Sequence, residues 1–193
     1  TVLASEGVKK LGGDDFDAAL QRIVHKKYLE ATGDDLDIQT IYTKTDAEDD
    51  KKSLSKREKV NVRVGKKNIE LTRIEFEKEI SSLVAQTEML CENAIEEADL
   101  RLKDITSVLM VGGSTRVPCV LESVKKIFKK DPVTTVNVDE AVVLGASLFS
   151  AVKGDKADLN PVQKASISKL KVTDVSVGCF GTKAVRGSNN EEY

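Results

Sequence analysis

Residues Ile105–Pro118 read ITSVLMVGGSTRVP. The run from Ile105 to Val111 is largely apolar, as expected for a strand buried on both faces. It ends in two glycines, a hydroxyl pair and an arginine. A helix follows whose apolar stripe is Val120, Leu121, Val124, Ile127 and Phe128. Glycines let backbone approach a ligand with no Cβ in the way. The free amides of a helix start favour polar or anionic atoms, and ligands of open α/β sheets sit at such strand ends. Two readings stay open for Gly112, Gly113, Ser114 and Arg116: a ligand loop, or a tight strand-to-helix turn. The spacing is neither that of a Walker P-loop nor that of a dinucleotide fingerprint.

Downstream, Val133–Val136 reads as a short strand, and Asp139 as the cap of a last helix containing Ala141, Val142, Gly145, Ala146, Leu148 and Phe149. After Gly154 the chain turns polar and less periodic, with one strand candidate at Leu170–Val177 and a disordered tail, GSNNEEY.

Upstream, TVLAS opens the chain as an apolar strand that should already have a neighbour, so Thr1 reads as a cut inside a longer protein. Leu11–Asp17, LGGDDFD, is a second glycine-to-helix junction with Asp14 as the expected N-cap. Its acids would repel phosphate, so Gly12 and Gly13 must make any close approach; read in isolation, the segment is a capped turn. Phe16, Ala19, Leu20, Ile23 and Leu29 give the helix one apolar face, and Gly33 with the acids to Asp37 ends it.

A more polar helix is expected over Ile38–Leu54 with a break near Thr45. On it Glu48, Lys51 and Ser55 fall at i, i+3 and i+7, one face of a helix. A carboxylate, an ammonium and a hydroxyl on one stripe can hydrogen-bond a ribose and a purine edge; an exposed, salt-bridged helix is the plainer alternative. KVNVRV, Lys59–Val64, alternates as a half-buried strand. With a turn at Gly65–Asn68 and a return at Ile69–Leu71 it predicts a β-hairpin. Thr72 and Glu75 form a capping box, opening one long helix whose stripe runs from Phe76 to Ala98. The order is an α/β core interrupted by an α+β piece, about Ala18 to Leu102.

Composition bounds the function. In 193 residues, 40% are hydrophobic and 32% charged, with net charge -2 and pI about 5.6. That balance gives a solvated surface and no basic field to draw nucleic acid. No apolar run reaches the roughly 18 residues that span a bilayer, and no signal peptide opens the chain. Cys91, Cys119 and Cys179 are too scattered for a zinc set or a disulfide framework, which points to a reducing compartment. His25, the one histidine, sits beside Lys26 and Lys27 and reads as a surface residue.

Taken in order, these segments resemble the DnaK-type, seventy-kilodalton heat-shock chaperone family. LGGDDFD is similar to its LGGEDFD, KKSLS to the helix lining its adenosine pocket, VGGSTRVP to its adenosine motif, and NVDEAVVLGAS to its second connecting helix. The likeness extends from Thr1 to about Gly154. It implies an actin-like, ribonuclease-H-like ATPase lobe with an inserted α+β subdomain: residues 1–17 plus 103–154 as subdomain IIA, 18–102 as subdomain IIB, and 155–193 as a linker-like, partly disordered segment.

Roles carry over to matching positions. Glu48, Lys51 and Ser55 resemble the adenosine contacts of subdomain IIB. Lys52 stands where an arginine that stacks on adenine is common, and a lysine stacks less well. Gly113, Ser114 and Arg116 resemble the adenosine-lining and base-stacking loop, with Gly112 shaping the phosphate side. Asp139 matches an aspartate near the ribose, and Gly12 and Gly13 the turn near the phosphates. Val138 departs from the usual proline, and ISKLKVTDVSVG from the leucine-rich interdomain linker.

The resemblance implies ATP or ADP as cofactor, with Mg2+ held by a companion lobe. It implies nucleotide-exchange factors at about Asp35–Leu100, and J-domain co-chaperones and unfolded polypeptides as partners of the whole protein, with neither nucleic acid nor membrane, in the cytoplasm. The family's phosphate loops, magnesium aspartates and catalytic lysine belong to segments preceding Thr1, so no catalytic or metal residue is expected here. The intact protein is then an ATPase that couples nucleotide to peptide handling. A non-hydrolysing co-chaperone or exchange-factor relative is the alternative, and a sugar kinase or filament-forming relative fits the motifs less well.

Overall fold

A computed structural model describes residues 1–35, 38–133, 140–155 and 159–173. Helix α1 (Gly13–Thr32) turns its Phe16, Leu20, Val24 and Tyr28 face inward, a repeat of four that follows from 3.6 residues per turn. Gly33 closes it in the left-handed region, φ 75°, where a Cβ would be strained. The N-cap is Gly12 rather than Asp14. Asp15 does the capping from inside the first turn, its Oδ2 accepting from the Gly12 N–H at 2.8 Å.

The polar segment forms α2 (Ile38–Ile41) and α3 (Lys44–Leu54). The break falls at Tyr42–Thr43, slightly earlier than the sequence suggested, because Thr43 and Asp46 make a capping box there. Tyr42 is buried beside α3, and its hydroxyl donates to Asp50 Oδ2 at 3.0 Å.

Strands β1 (Lys59–Val64) and β2 (Lys67–Thr72) pair antiparallel with Val62 opposite Ile69 and Val60 opposite Leu71. One face therefore carries Val62, Val64, Ile69 and Leu71 into the core, as the alternation predicts. The turn is only Gly65–Lys66: Gly65 takes φ 58°, and Lys67 and Asn68 join the ladder.

Thr72 caps α4 (Arg73–Glu79) with Glu75 reaching back, as expected. The single long helix does not hold: the chain breaks at the fully buried Ile80 and resumes as α5 (Ser81–Glu97). The Ser81 hydroxyl donates to the Lys78 carbonyl at 2.7 Å, a local competitor of the helical ladder. Phe16 and Phe76 meet edge to face, centroids 6.2 Å apart, where α1 crosses α4. Ala47 and Leu54 of α3 and Val117 complete this cluster.

Beyond it the expected strands are thin. Residues 1–8 form no strand; Val2 donates one backbone hydrogen bond to Thr173 at 2.9 Å, and Leu3 is 59% exposed. In Ile105–Val111 only Leu109 bridges, parallel, to Val133, and Leu109 and Val111 are exposed rather than buried on both faces. A strand needs a ladder on its edges and a layer on each face, and the described residues supply one bridge. Helices α6 (Pro118–Phe128), α7 (Ala141–Lys153) and α8 (Pro161–Ser168) follow. Glu140, not Asp139, is the cap residue of α7. Asp139, Cys179, Thr134–Val136, the 174–177 part of the last strand candidate and the GSNNEEY tail lie outside the described residues; Leu170–Thr173 is not a strand.

Candidate functional site

Three segments far apart in sequence converge on one cleft of about 800 Å³. Gly13 lines it from the start of α1, Glu48, Lys51, Lys52 and Ser55 from one face of α3, and Gly113, Ser114 and Arg116 from a 3-10 turn (Gly113–Arg116). Gly12 and Gly112 neighbour this lining without joining it. Asp14, Asp17, Lys56 and Val117 also line it, and the sequence reading had missed them. Asp17 had a visible signal: an acid three and seven residues before Leu20 and Val24, on an otherwise apolar stripe.

Local folding sets each wall. Gly112 adopts φ 97°, accessible to glycine at little cost, and its carbonyl accepts from the Thr115 hydroxyl at 2.6 Å, which tightens the turn. Val117, just past this turn, is buried in the main core and ties the loop to it. A Cβ on Gly13 would lie 3.2 Å from Lys51 Nζ and 3.5 Å from Ser114 Oγ, so the three walls approach closely at this glycine. A Cβ on Gly113, which lines the cleft, would meet nothing within 4 Å.

The electrostatics are mixed. Lys51 Nζ sits 2.6 Å from Asp17 Oδ1 and donates to the Gly13 carbonyl at 3.1 Å, both side chains being largely buried. Ser55 Oγ donates to the Lys51 carbonyl at 3.0 Å. Lys52, mostly exposed, pairs with Glu48 at 3.0 Å; it holds the Glu48 carboxyl below its ordinary range, and Glu48 in turn raises the Lys52 ammonium. At the rim Lys44 pairs with Asp14 at 2.6 Å and holds its carboxyl below the ordinary range. With Asp15 already capping α1, the anion-favouring end of that helix is filled by carboxylate. The cleft thus offers a carboxylate, hydroxyls, cations and bare backbone, a set suited to a neutral polar ring system.

Elsewhere, His25 Nε2 lies 2.7 Å from Asp35 Oδ1 on the exposed side of α1, about 18 Å along the axis from Gly13. Burial pushes the Cys119 thiol up to about 11, with Glu77 adding to it, and raises Cys91 likewise, so neither is an activated nucleophile. Among the described residues no helix is long and apolar enough to cross a membrane, and no group of three or more His, Cys, Asp or Glu is placed to hold a metal ion.

Comparison with known proteins adds a family. The model of the family described as Hsp70 protein matches residues 1–190. Chaperone protein HscA of Buchnera aphidicola is 39% identical over 177 residues, covering 92% of this chain and 28% of that protein. The stromal 70 kDa heat shock-related protein, chloroplastic, of Pisum sativum is 40% identical over 197 residues, covering 95% of this chain and 28% of that protein. Heat shock 70 kDa protein 6, chloroplastic, of Arabidopsis thaliana is 38% identical over 191 residues, with 92% and 26% covered. The chain thus spans little more than a quarter of the length of these relatives, which come from a bacterium and from plastids alike. With nearly its whole length matched by the family model and these identities behind it, this chain belongs to the Hsp70 protein family.

Proposed function

We propose that this chain is the adenosine-binding part of an Hsp70 nucleotide-binding domain of actin-like fold, and that its cleft holds base and ribose of ATP or ADP. The observation that carries this reading is the convergence of Gly13, the Glu48–Lys51–Ser55 face and the Gly113–Arg116 turn on one cleft. Residues 18–102 act as subdomain IIB, and residues 1–17 with 103–154 contribute subdomain IIA.

In this reading Glu48 accepts from ribose hydroxyls, Ser55 donates to the purine edge, and Arg116 stacks on the base. Lys52 flanks the base more loosely than an arginine would. Gly113 leaves room for the ring. The phosphates lie away from Asp14 and Asp15, toward groups of a companion lobe that would also hold Mg2+. In the whole protein, ATP binding and hydrolysis serve the handling of unfolded polypeptides with J-domain helpers, and exchange factors grip about Asp35–Leu100.

Calorimetric titration of the chain with adenosine and ADP tests the reading. Saturable binding of both with comparable affinity is expected, because the cleft recognises the nucleoside. No heat from either ligand at millimolar concentration would refute a nucleoside site built by these residues.

A further inference from the structure

Asp17 lies outside the set of residues that the family resemblance assigns to the nucleotide, yet the cleft closes around it. It sits one turn beyond Gly13 on α1 and is 2% exposed, among the buried residues of the molecule. Its Oδ1 is met by the Lys51 ammonium at 2.6 Å and by no other donor among the described residues. That ammonium also donates to Gly13 O and lies 3.2 Å from where a Gly13 Cβ would stand. One buried ion pair therefore joins the start of α1 to α3, where Ser114 Oγ of the third wall also lies 3.5 Å from the position of a Gly13 Cβ.

We propose that Asp17 is a positioning and selectivity residue of the nucleoside cleft. This deepens the adenosine reading and rests on it. Through Lys51, Asp17 fixes the α3 face carrying Glu48 and Ser55 relative to α1. By cancelling the Lys51 charge it also keeps the floor of the cleft from drawing an anion into the position of the base. A desolvated lysine with no counter-ion would attract phosphate strongly, since the attraction between charges grows as water is excluded. Lys52 and Lys56 at the rim stand in better-solvated surroundings, where screening weakens them.

The test replaces Asp17→Asn, which keeps the size and an acceptor for Lys51 but removes the cancelling charge. Two readouts are taken at low salt. The first is independent of any nucleoside: thermal stability with and without inorganic pyrophosphate. Asp17→Asn should gain stability with pyrophosphate, while the unmodified chain and the neutral pair Asp17→Leu/Lys51→Met should not. The second is the ratio of ADP to adenosine affinity, which should shift toward ADP by roughly tenfold in Asp17→Asn and return in the neutral pair.

A purely structural role would weaken both ligands equally and leave the ratio and the pyrophosphate response unchanged; that result overturns the proposal. So does a neutral pair that binds pyrophosphate as well as Asp17→Asn does, because other cations would then be responsible. If Asp17→Asn does not fold, Asp17→Ser, which removes the charge and leaves room for water beside Lys51, takes its place: stabilisation by pyrophosphate supports charge cancellation, and a response equal to that of the unmodified chain refutes it. Failure of the unmodified chain to bind either ligand rejects the adenosine reading, and the pyrophosphate readout still judges Asp17.

Discussion

Replacing Lys51 with methionine isolates what the buried ion pair does for the fold. Methionine keeps most of the aliphatic stem, so no large cavity opens. Asp17, with a side chain 3% exposed, loses the ammonium that meets its Oδ1. Removing one partner of a buried pair costs about 3–5 kcal/mol because the other charge stays desolvated. The Lys51 side chain is 13% exposed, so water reaches the gap in part and the lower end, about 3 kcal/mol, is expected. For a chain of 193 residues each 1 kcal/mol moves the midpoint by about 2–4 °C, so Tm should fall by about 6–12 °C. Urea unfolding followed by circular dichroism measures the loss directly. Asp17→Leu/Lys51→Met should recover to within about 1 kcal/mol of the unmodified chain, since an apolar pair of similar volume replaces an ionic one at little cost. A loss below about 1 kcal/mol for Lys51→Met, or equal losses for the single and the double variant, would refute the claim that Asp17 depends on this partner.

Other perturbations follow from the same packing. Phe76→Ala empties the edge-to-face contact with Phe16 in the centre of the core and should cost about 3–5 kcal/mol in urea unfolding; a loss under 1 kcal/mol would contradict the described core. Burial pushes Glu75 upward, but hydrogen bonds from Lys27 and Thr72 outweigh it and hold the carboxyl below its ordinary 4.5. A depressed carboxylate stabilises the fold above its unfolded value, and that contribution disappears as pH falls through the folded value. With the side chain 41% exposed and partly screened, Glu75→Gln should cost up to about 1 kcal/mol at neutral pH and flatten the acid limb below pH 4.5; an unchanged acid limb refutes it.

Periodicity revealed the parts of the fold that carry their own partners. The alternation of KVNVRV, the stripe of Phe16, Leu20 and Val24, and the Thr72–Glu75 box each record a neighbour within a few residues or one turn away. The α8 helix was missed although its signal is local: Asn160, Pro161 and Gln163 form an N-cap, a first-turn proline and a capping-box partner. Its short length and weak apolar stripe hid it. The break at Ile80 was not legible, because Ile80 stays on the apolar stripe while the backbone bends beneath it. Nor could apolar runs such as Ile105–Val111 reveal what covers them; such a run states a preference for burial, and Leu109 and Val111 remain exposed here.

The candidate site divides in the same way. Its glycines and the i, i+3, i+7 face are local patterns, so they stood out before any tertiary contact was known. That Lys51 reaches back to Asp17 is a long-range pairing between α3 and α1, and charge complementarity between two residues 34 positions apart is invisible among 30 basic and 32 acidic residues.

Gly113→Val tests the account most directly. The backbone there has room for a side chain, with nothing within 4 Å of a Cβ, and Gly113 lines the cleft proposed to hold the base, so the new methyls would take up space there. Calorimetric titration with adenosine, paired with urea unfolding, should show stability within about 1 kcal/mol of the unmodified chain and adenosine binding lost. Adenosine binding with undiminished affinity by a fully folded Gly113→Val chain would contradict the placement of the nucleoside against this turn.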